Sequence, residues 1–258
     1  MTISDMYQRK RIRRFFETGE VREMEDDVLN EFRIQIRLDG EDFIQAVISP
    51  SLFEEFVLGF LLTRGIIEGP RDVSSLEIAG DTVSVTRIPR LRHALPDLRL
   101  LESSGTRNWT PEQIFRLGGK KIESELRVPA KVLIKALRLI VGMPVFEKTG
   151  ATHCAILFSP SGEVICSAED VGRHNSVDKV IGGGLIKGVD FGRSWLAVSG
   201  RLPADMVLKP LAAGIPLIAS VSAATSDGID MGELGGVTVV GFTRGGRLNC
   251  YCHPERIT

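Results

Sequence analysis

The stretch from Thr149 to Lys179, TGATHCAILFSPSGEVICSAEDVGRHNSVDK, constrains this chain more than any other. Residues 154–158 are apolar enough for a buried strand. A Ser-Pro-Ser-Gly turn follows, and residues 163–166 supply a return strand. Polar residues that no core requires flank the pair: Thr152 and His153 before it, Glu169 to Asn175 after it. A helix should follow, with Val177, Val180 and Ile181 on its apolar face. Two of the four histidines and two of the four cysteines lie here. Function is therefore expected in this segment and wherever later strands end beside it.

The chain has 258 residues, 43% hydrophobic and 25% charged, which suits one or two globular domains with a sizeable core. A net charge of −1 gives no global pull toward nucleic acid or an anionic membrane. No apolar run approaches the ~18 residues of a membrane span. The N-terminus is charged from Arg9 onward and has no apolar h-region, so a secretory signal is not expected. The four cysteines lack disulfide-framework spacing, and a cytoplasmic setting with reduced thiols is the expectation.

Residues 1–14, ending in the basic run Arg9 to Arg14, read as a solvated, mobile terminus. Phe32, Ile34, Ile36 and Leu38 alternate with polar residues, and Asp39-Gly40 turns the chain into a return strand through Phe43 and Val47. Ser51 and Glu54 have capping-box spacing ahead of an apolar stripe of Phe53, Phe56, Val57, Phe60 and Leu61, with Gly65 as the stop. A second hairpin is expected from Leu76 to Val85. Residues 89–111 form a long irregular loop, and two helices should cover 111–126 and 129–141, each with proline near its start. A domain boundary is placed near residue 110. From 149 onward apolar runs alternate with helical patterns, which predicts a layered α/β domain with parallel strands, within a chain that is α+β overall.

Ligands of open α/β sheets bind beyond the carboxyl ends of strands. Here three predicted strand ends deliver similar chemistry. Ser199, Gly200 and Arg201 lead into a helix whose free N–H groups favour an anion. Ser220, Ser222, Thr225 and Ser226 lead into another. Phe242, Thr243, Arg244, Gly245, Gly246 and Arg247 read as a glycine-loosened loop with two guanidinium groups, suited to phosphate. Gly172, Arg173, His174 and Asn175 add to the set, with Asp178 and Lys179 one helical turn on. Arg173 is placed to reach a phosphate, and Asn175 and Asp178 to read the edge of a base. No Walker A or G-x-G-x-x-G fingerprint is present, so the pocket is of another kind. His153 is a candidate general acid/base, metal ligand or core histidine. The spacings of zinc deaminases are missing, because Ala155 stands where H-x-E needs glutamate and no P-C-x-x-C occurs. Cys250 and Cys252 would share one face of a strand, a short thiol cluster with His253.

Five runs resemble the formate dehydrogenase accessory sulfurtransferase (FdhD) family: T-G-A-T-H-C-A from Thr149, E-D-V-G-R-H-N-S-V-D-K from Glu169, S-G-R-L from Ser199, G-F-T-R-G-G-R from Gly241, and P-S-L-F-E-E-F-V-L-G-F-L-L-T-R-G-I-I from Pro50. The resemblance implies a cytoplasmic sulfur carrier that takes sulfur from a cysteine desulfurase as a persulfide. It passes the sulfur to a molybdenum or tungsten bis-pterin guanine dinucleotide cofactor destined for formate dehydrogenase. The resemblance further implies a homodimer, no catalytic metal, a mobile loop ending the N-terminal domain (1–110), and a cytidine-deaminase-like fold for residues 111–258. Residues 242–247 would bind the cofactor, with GDP as a mimic. One departure stands out. Where the family carries a C-x-x-C pair, this chain reads Leu101-Glu-Ser-Ser-Gly-Thr-Arg-Asn-Trp109, with no cysteine. A serine hydroxyl forms no persulfide. Three readings follow: persulfide chemistry at Cys154, Cys250 or Cys252; cofactor delivery without sulfur transfer; or a relative with a changed task, a deaminase-like hydrolase using His153 among them.

Overall fold

The computed structural model describes residues 3–89 and 120–258. The boundary drawn at 110 and the loop 101–109 lie outside the described residues. The chain opens with a two-stranded ribbon, β1 (Tyr7–Phe15) against β2 (Val21–Leu29). This corrects the expectation of a mobile terminus. The register explains why: Arg9, Arg11 and Arg13 face Asp27, Glu25 and Glu23. The acidic run thus neutralises the basic one across the ribbon, with Arg13 Nε 3.3 Å from Glu23.

A four-stranded sheet follows in the order β4-β3-β6-β5, built from β3 (Phe32–Leu38), β4 (Glu41–Ile48), β5 (Val73–Ala79) and β6 (Thr82–Arg87). Both predicted hairpins form. Asp39 and Gly40 take φ of 54° and 93°, the left-handed pair that a tight hairpin needs. Asp39 then clamps Arg87 through its backbone N–H and guanidinium, at 2.7 to 2.9 Å. The apolar stripe after Pro50 is helix α1 (Phe53–Thr63), but the capping box does not form. Leu52 is the N-cap, in the left-handed region, and Ser51 instead accepts a hydrogen bond from Lys179.

Residues 120–126 are not helical, against expectation. The buried Arg256 side chain binds the carbonyls of Ile122 and Ser124, at 3.4 and 3.5 Å, and holds this segment extended. Three short helices follow: α2 (Ala130–Ala136), α3 (Arg138–Val141) and α4 (Pro144–Thr149).

The second sheet has six strands in the order β12-β11-β10-β9-β7-β8. They are β7 (His153–Phe158), β8 (Val164–Asp170), β9 (Trp195–Val198), β10 (Leu217–Ser220), β11 (Thr238–Arg244) and β12 (Arg247–Cys252). Only β9, β10 and β11 run parallel; β7, β8 and β12 are antiparallel, so the sheet is mixed rather than parallel. Side chains alternate between two cores. Ala155, Leu157, Leu196, Val198, Ile218 and Val239 face one. Ile156, Phe158, Trp195, Ala197, Ala219 and Val240 face the other, which residues 126–143 cover.

The first core continues without a break into the four-stranded sheet through α1 and through α5 (Arg173–Ile186), α6 (Ala204–Ala213) and α7 (Ser226–Gly235). Helix α1 is buried on nearly all sides because elements pack on both its flanks. It meets α5 backbone to backbone. A Cβ on Gly59 would sit 1.8 Å from the Asp178 carbonyl oxygen, and one on Gly182 1.8 Å from that of Glu55. Beside this crossing lie two buried ion pairs. Lys209 Nζ holds both oxygens of Asp178, at 2.6 and 2.7 Å, and Thr63 adds a hydrogen bond at 2.8 Å. Lys179 Nζ lies 2.6 Å from Asp170 and donates to the Ser49 carbonyl. Burial pushes Lys209 down to about 8, against the pull of Asp178. Among the described residues no helix is long and apolar enough to cross a membrane.

Gly182→Ala should destabilise the protein by about 1–3 kcal/mol or more, because neither backbone can retreat. Lys209→Met should destabilise the protein by about 1–3 kcal/mol, since Asp178 loses its closest cation but keeps Arg64 at 3.4 Å and Thr63 at 2.8 Å; Lys209→Met with Arg64→Met should cost more, because only then is the carboxylate left without a cation. Urea unfolding midpoints read both effects.

Candidate anion site at the strand tips

Strands β9, β10 and β11 end side by side, and their following loops are laced together. Ser220 Oγ donates to the Gly200 carbonyl at 2.6 Å and accepts from Ser222 N–H at 2.9 Å. The backbone N–H groups of Leu202 and Phe242 donate to Ala223 and Ser222 carbonyls, at 2.9 and 2.8 Å. Thr225 caps α7 by accepting from Gly228 N–H. The approach is close: a Cβ on Gly228 would fall 2.0 Å from the Leu202 carbonyl oxygen. Phe242, a non-glycine residue at φ 49°, lies within the break in the β11–β12 register. Such backbone is uncommon and concentrates at functional sites.

Helix α5 starts beside these loops. The Arg173 side chain runs along Gly200, where a Cβ would meet its Cβ at 3.3 Å and its Cδ at 3.4 Å. His174 is buried, and its Nε2 lies 3.0 Å from Asp205 Oδ2, off the line of a hydrogen bond. Burial alone would raise Asp205, but His174 and Arg173 outweigh it and hold the carboxylate below its usual range. Among the described residues, the buried side-chain polar atoms without a hydrogen-bond partner are Arg173 Nε, His174 Nε2, Asp205 Oδ1 and Thr243 Oγ1. All four lie along this one edge. Buried polar groups are normally paired, so their concentration marks a place prepared for a polar ligand. His153 opens β7 on the same side, its Nδ1 3.2 Å from Ser199 Oγ.

The structure brings Gly172, Arg173, His174, Ser199, Gly200, Ser222, Thr225, Phe242 and Thr243 to this edge, and it removes others. Asp178 and Lys179 are each 1% exposed and committed to the ion pairs above, so neither is free to meet a ligand. Asn175 donates its amide to the Val47 carbonyl and to Asp170, which joins β4 to α5 rather than reading a base. Arg201, Arg244 and Arg247 stand exposed on the outside of the edge. The supposed loose loop is a hairpin: Arg244 pairs with Arg247 around Gly245 and Gly246, whose φ values are 62° and 78°. The Arg244 guanidinium lies 5.3 Å over the Phe242 ring.

The four cysteines of the chain are all described, and none is poised as a nucleophile. Cys154 is buried, and burial with Glu169 at 3.9 Å from its sulfur pushes the thiol up to about 12. Burial pushes Cys252 up to about 12 as well, and raises Cys166 and the half-buried Cys250. Cys250 and Cys252 do not share a face. Val239 pairs with Cys252 and Val240 with Cys250, so Tyr251 is an extra residue in the strand. That bulge sends the two sulfurs into opposite cores.

Two residues of the region escape sequence reasoning. Asp205 sits in the first turn of α6 and reads there as an ordinary helix-start acid. Glu169 lies at the end of β8 yet caps a distant helix, accepting from Val145 and Phe146 N–H at 3.0 and 2.6 Å and from Thr152. The signal for it was Pro144 opening α4 behind Met143, which offers no side-chain cap.

Comparison with known proteins agrees with this architecture. The FdhD/NarQ family model matches residues 29–258. A "Sulfur carrier protein FdhD" from Methanothermobacter thermautotrophicus is 37% identical over 241 residues, 92% of this chain and 94% of the relative. One of the same name from Listeria monocytogenes is 32% identical, covering 98% of this chain and all of the relative. A crystal structure from Desulfotalea psychrophila, named for a formate dehydrogenase accessory protein, superposes with a TM-score of 0.81 at 26% identity over 98% of this chain and 100% of that one. The strand tips described above therefore belong to a member of the FdhD/NarQ family.

Proposed function

We propose that this chain is a formate dehydrogenase accessory protein that holds a molybdenum or tungsten bis-pterin guanine dinucleotide cofactor as cargo, by a diphosphate, at the tips of β9, β10 and β11. The observation that carries the reading is the group of buried polar atoms left without a partner, Arg173 Nε, Asp205 Oδ1 and Thr243 Oγ1, beside the His174–Asp205 ion pair. Arg173 supplies a positive charge beside Gly200, whose missing side chain makes room for the arginine's own stem. Helix α6 begins at Ala204, directly after the Ser199–Leu202 loop, which puts its N-terminal end at the same edge. Arg201, Arg244 and Arg247 add guanidinium groups at the outside, free to close on phosphate oxygens.

Sulfur handling takes a narrower form. A persulfide relay needs an accessible thiolate. Every thiol here is raised by burial, and the position of the family's C-x-x-C pair holds no cysteine. The reading supported is cofactor binding and delivery to formate dehydrogenase, with sulfur from a cysteine desulfurase reaching the cofactor by a route other than a thiol of this chain.

GDP should bind, and Arg173→Ala should weaken it about ten- to a hundredfold, the worth of a charge-assisted hydrogen bond pair. Calorimetry showing no binding to the wild-type chain would overturn the site. Persulfide labelling after incubation with a desulfurase and cysteine should leave all four thiols unlabelled. A persulfide on any of them would restore the relay.

A further inference from the structure

Resting on that reading, we propose that His153 is a proton-coupled ligand of the bound diphosphate: it enters the complex as an imidazolium, taking one proton from solvent as the anion arrives. Ser199 lies beside the imidazole. Its Oγ accepts the Cys154 backbone N–H at 3.0 Å, which leaves its own hydrogen to point elsewhere. His153 Nδ1 lies 3.2 Å away. That hydrogen can be given to Nδ1, an arrangement in which a neutral ring carries its proton on Nε2. The same imidazole can also take a second proton, because Ser199 Oγ can turn from donor to acceptor without moving.

The charges around the ring set when that happens. From α5, Arg173 and His174 face it; from β8, Asp170 lies opposite in register. Asp170 is already engaged by Lys179, by Asn175 and by two backbone N–H groups. Ser199, just past the end of β9, contributes a hydroxyl and no charge, and Asp205 on α6 acts on His174 and Arg173 rather than on His153. Burial, Arg173 and His174 together hold His153 below its ordinary value, so the ring is neutral near pH 7. A diphosphate beside Arg173 cancels that guanidinium's repulsion and adds attraction of its own. Both changes favour the imidazolium. Linkage then requires affinity to fall as pH rises between the free and bound titrations of His153.

GDP itself is a poor probe of this, since its terminal phosphate takes up a proton near neutral pH. GDP-mannose carries the diphosphate as a diester and avoids the overlap. Calorimetry in buffers of different ionisation enthalpy should show uptake of a substantial fraction of a proton per GDP-mannose at pH 7. Affinity should fall several-fold from pH 6 to pH 8. His153→Gln, which keeps a donor but cannot titrate, should bind with near-zero uptake and no pH slope. In the wild-type chain, the His153 ring resonance should titrate below its usual range when free and shift upward with GDP-mannose bound, a readout independent of any variant. Binding with no proton uptake, uptake retained in His153→Gln, or an unshifted His153 titration would each overturn the proposal while leaving the site intact. Absence of GDP-mannose binding at every pH would overturn the site and the proposal together.

Discussion

The Asp170 carboxylate holds the site in place. It is fully buried at the end of β8, and four donors converge on it: Ser49 N–H, Gly172 N–H, the Asn175 amide and the Lys179 ammonium. These partners come from the end of β4, the turn into α5 and the helix itself. One charge thus fixes the four-stranded sheet against the six-stranded one and sets the first turn of α5. A buried charge survives only when its partners are complete. Arg173 and His174 are the first two residues of that helix, so their direction toward Gly200 and Asp205 follows from the same anchor.

Much of this was legible in the sequence. The hairpins, α1, and the order of strands and helices after 149 followed from alternation and turn chemistry. The convergence of Ser199, Ser222 and Phe242 followed from parallel strands ending together. What misled was the reading of polar density as exposure. Asp178 and Lys179 read as ligand groups because they belong to a dense run of charged and hydrogen-bonding residues, but their partners, Lys209 and Asp170, come from a different helix and a strand end. The ribbon was missed for a similar reason. Its basic strand becomes ordered only when Glu23, Glu25 and Asp27 are set opposite it by a register that no single window reveals. Asp205 was hidden by its ordinary place at a helix start.

The site combines rigidity and mobility. Its back wall is glycine and serine backbone laced by hydrogen bonds, with Arg173 laid along it. Its outside is a short hairpin whose arginines have no fixed carboxylate partner among the described residues. On the function proposed above, an edge of this kind would hold a large anionic cargo by its diphosphate and leave the rest of the molecule outside, where a recipient enzyme could reach it. A fully enclosed pocket would protect the cargo better but release it less readily.

The bulge at Tyr251 has a last consequence. Alternation would have made residues 250 and 252 a vicinal dithiol, the arrangement that clips arsenicals, chelates soft metals and cycles between oxidised and reduced forms. With the thickness of the sheet between the two sulfurs, neither bridge nor chelate can close. The strand keeps its cysteines as small apolar packing, and the hairpin that carries Arg244 and Arg247 is insulated from changes in redox poise.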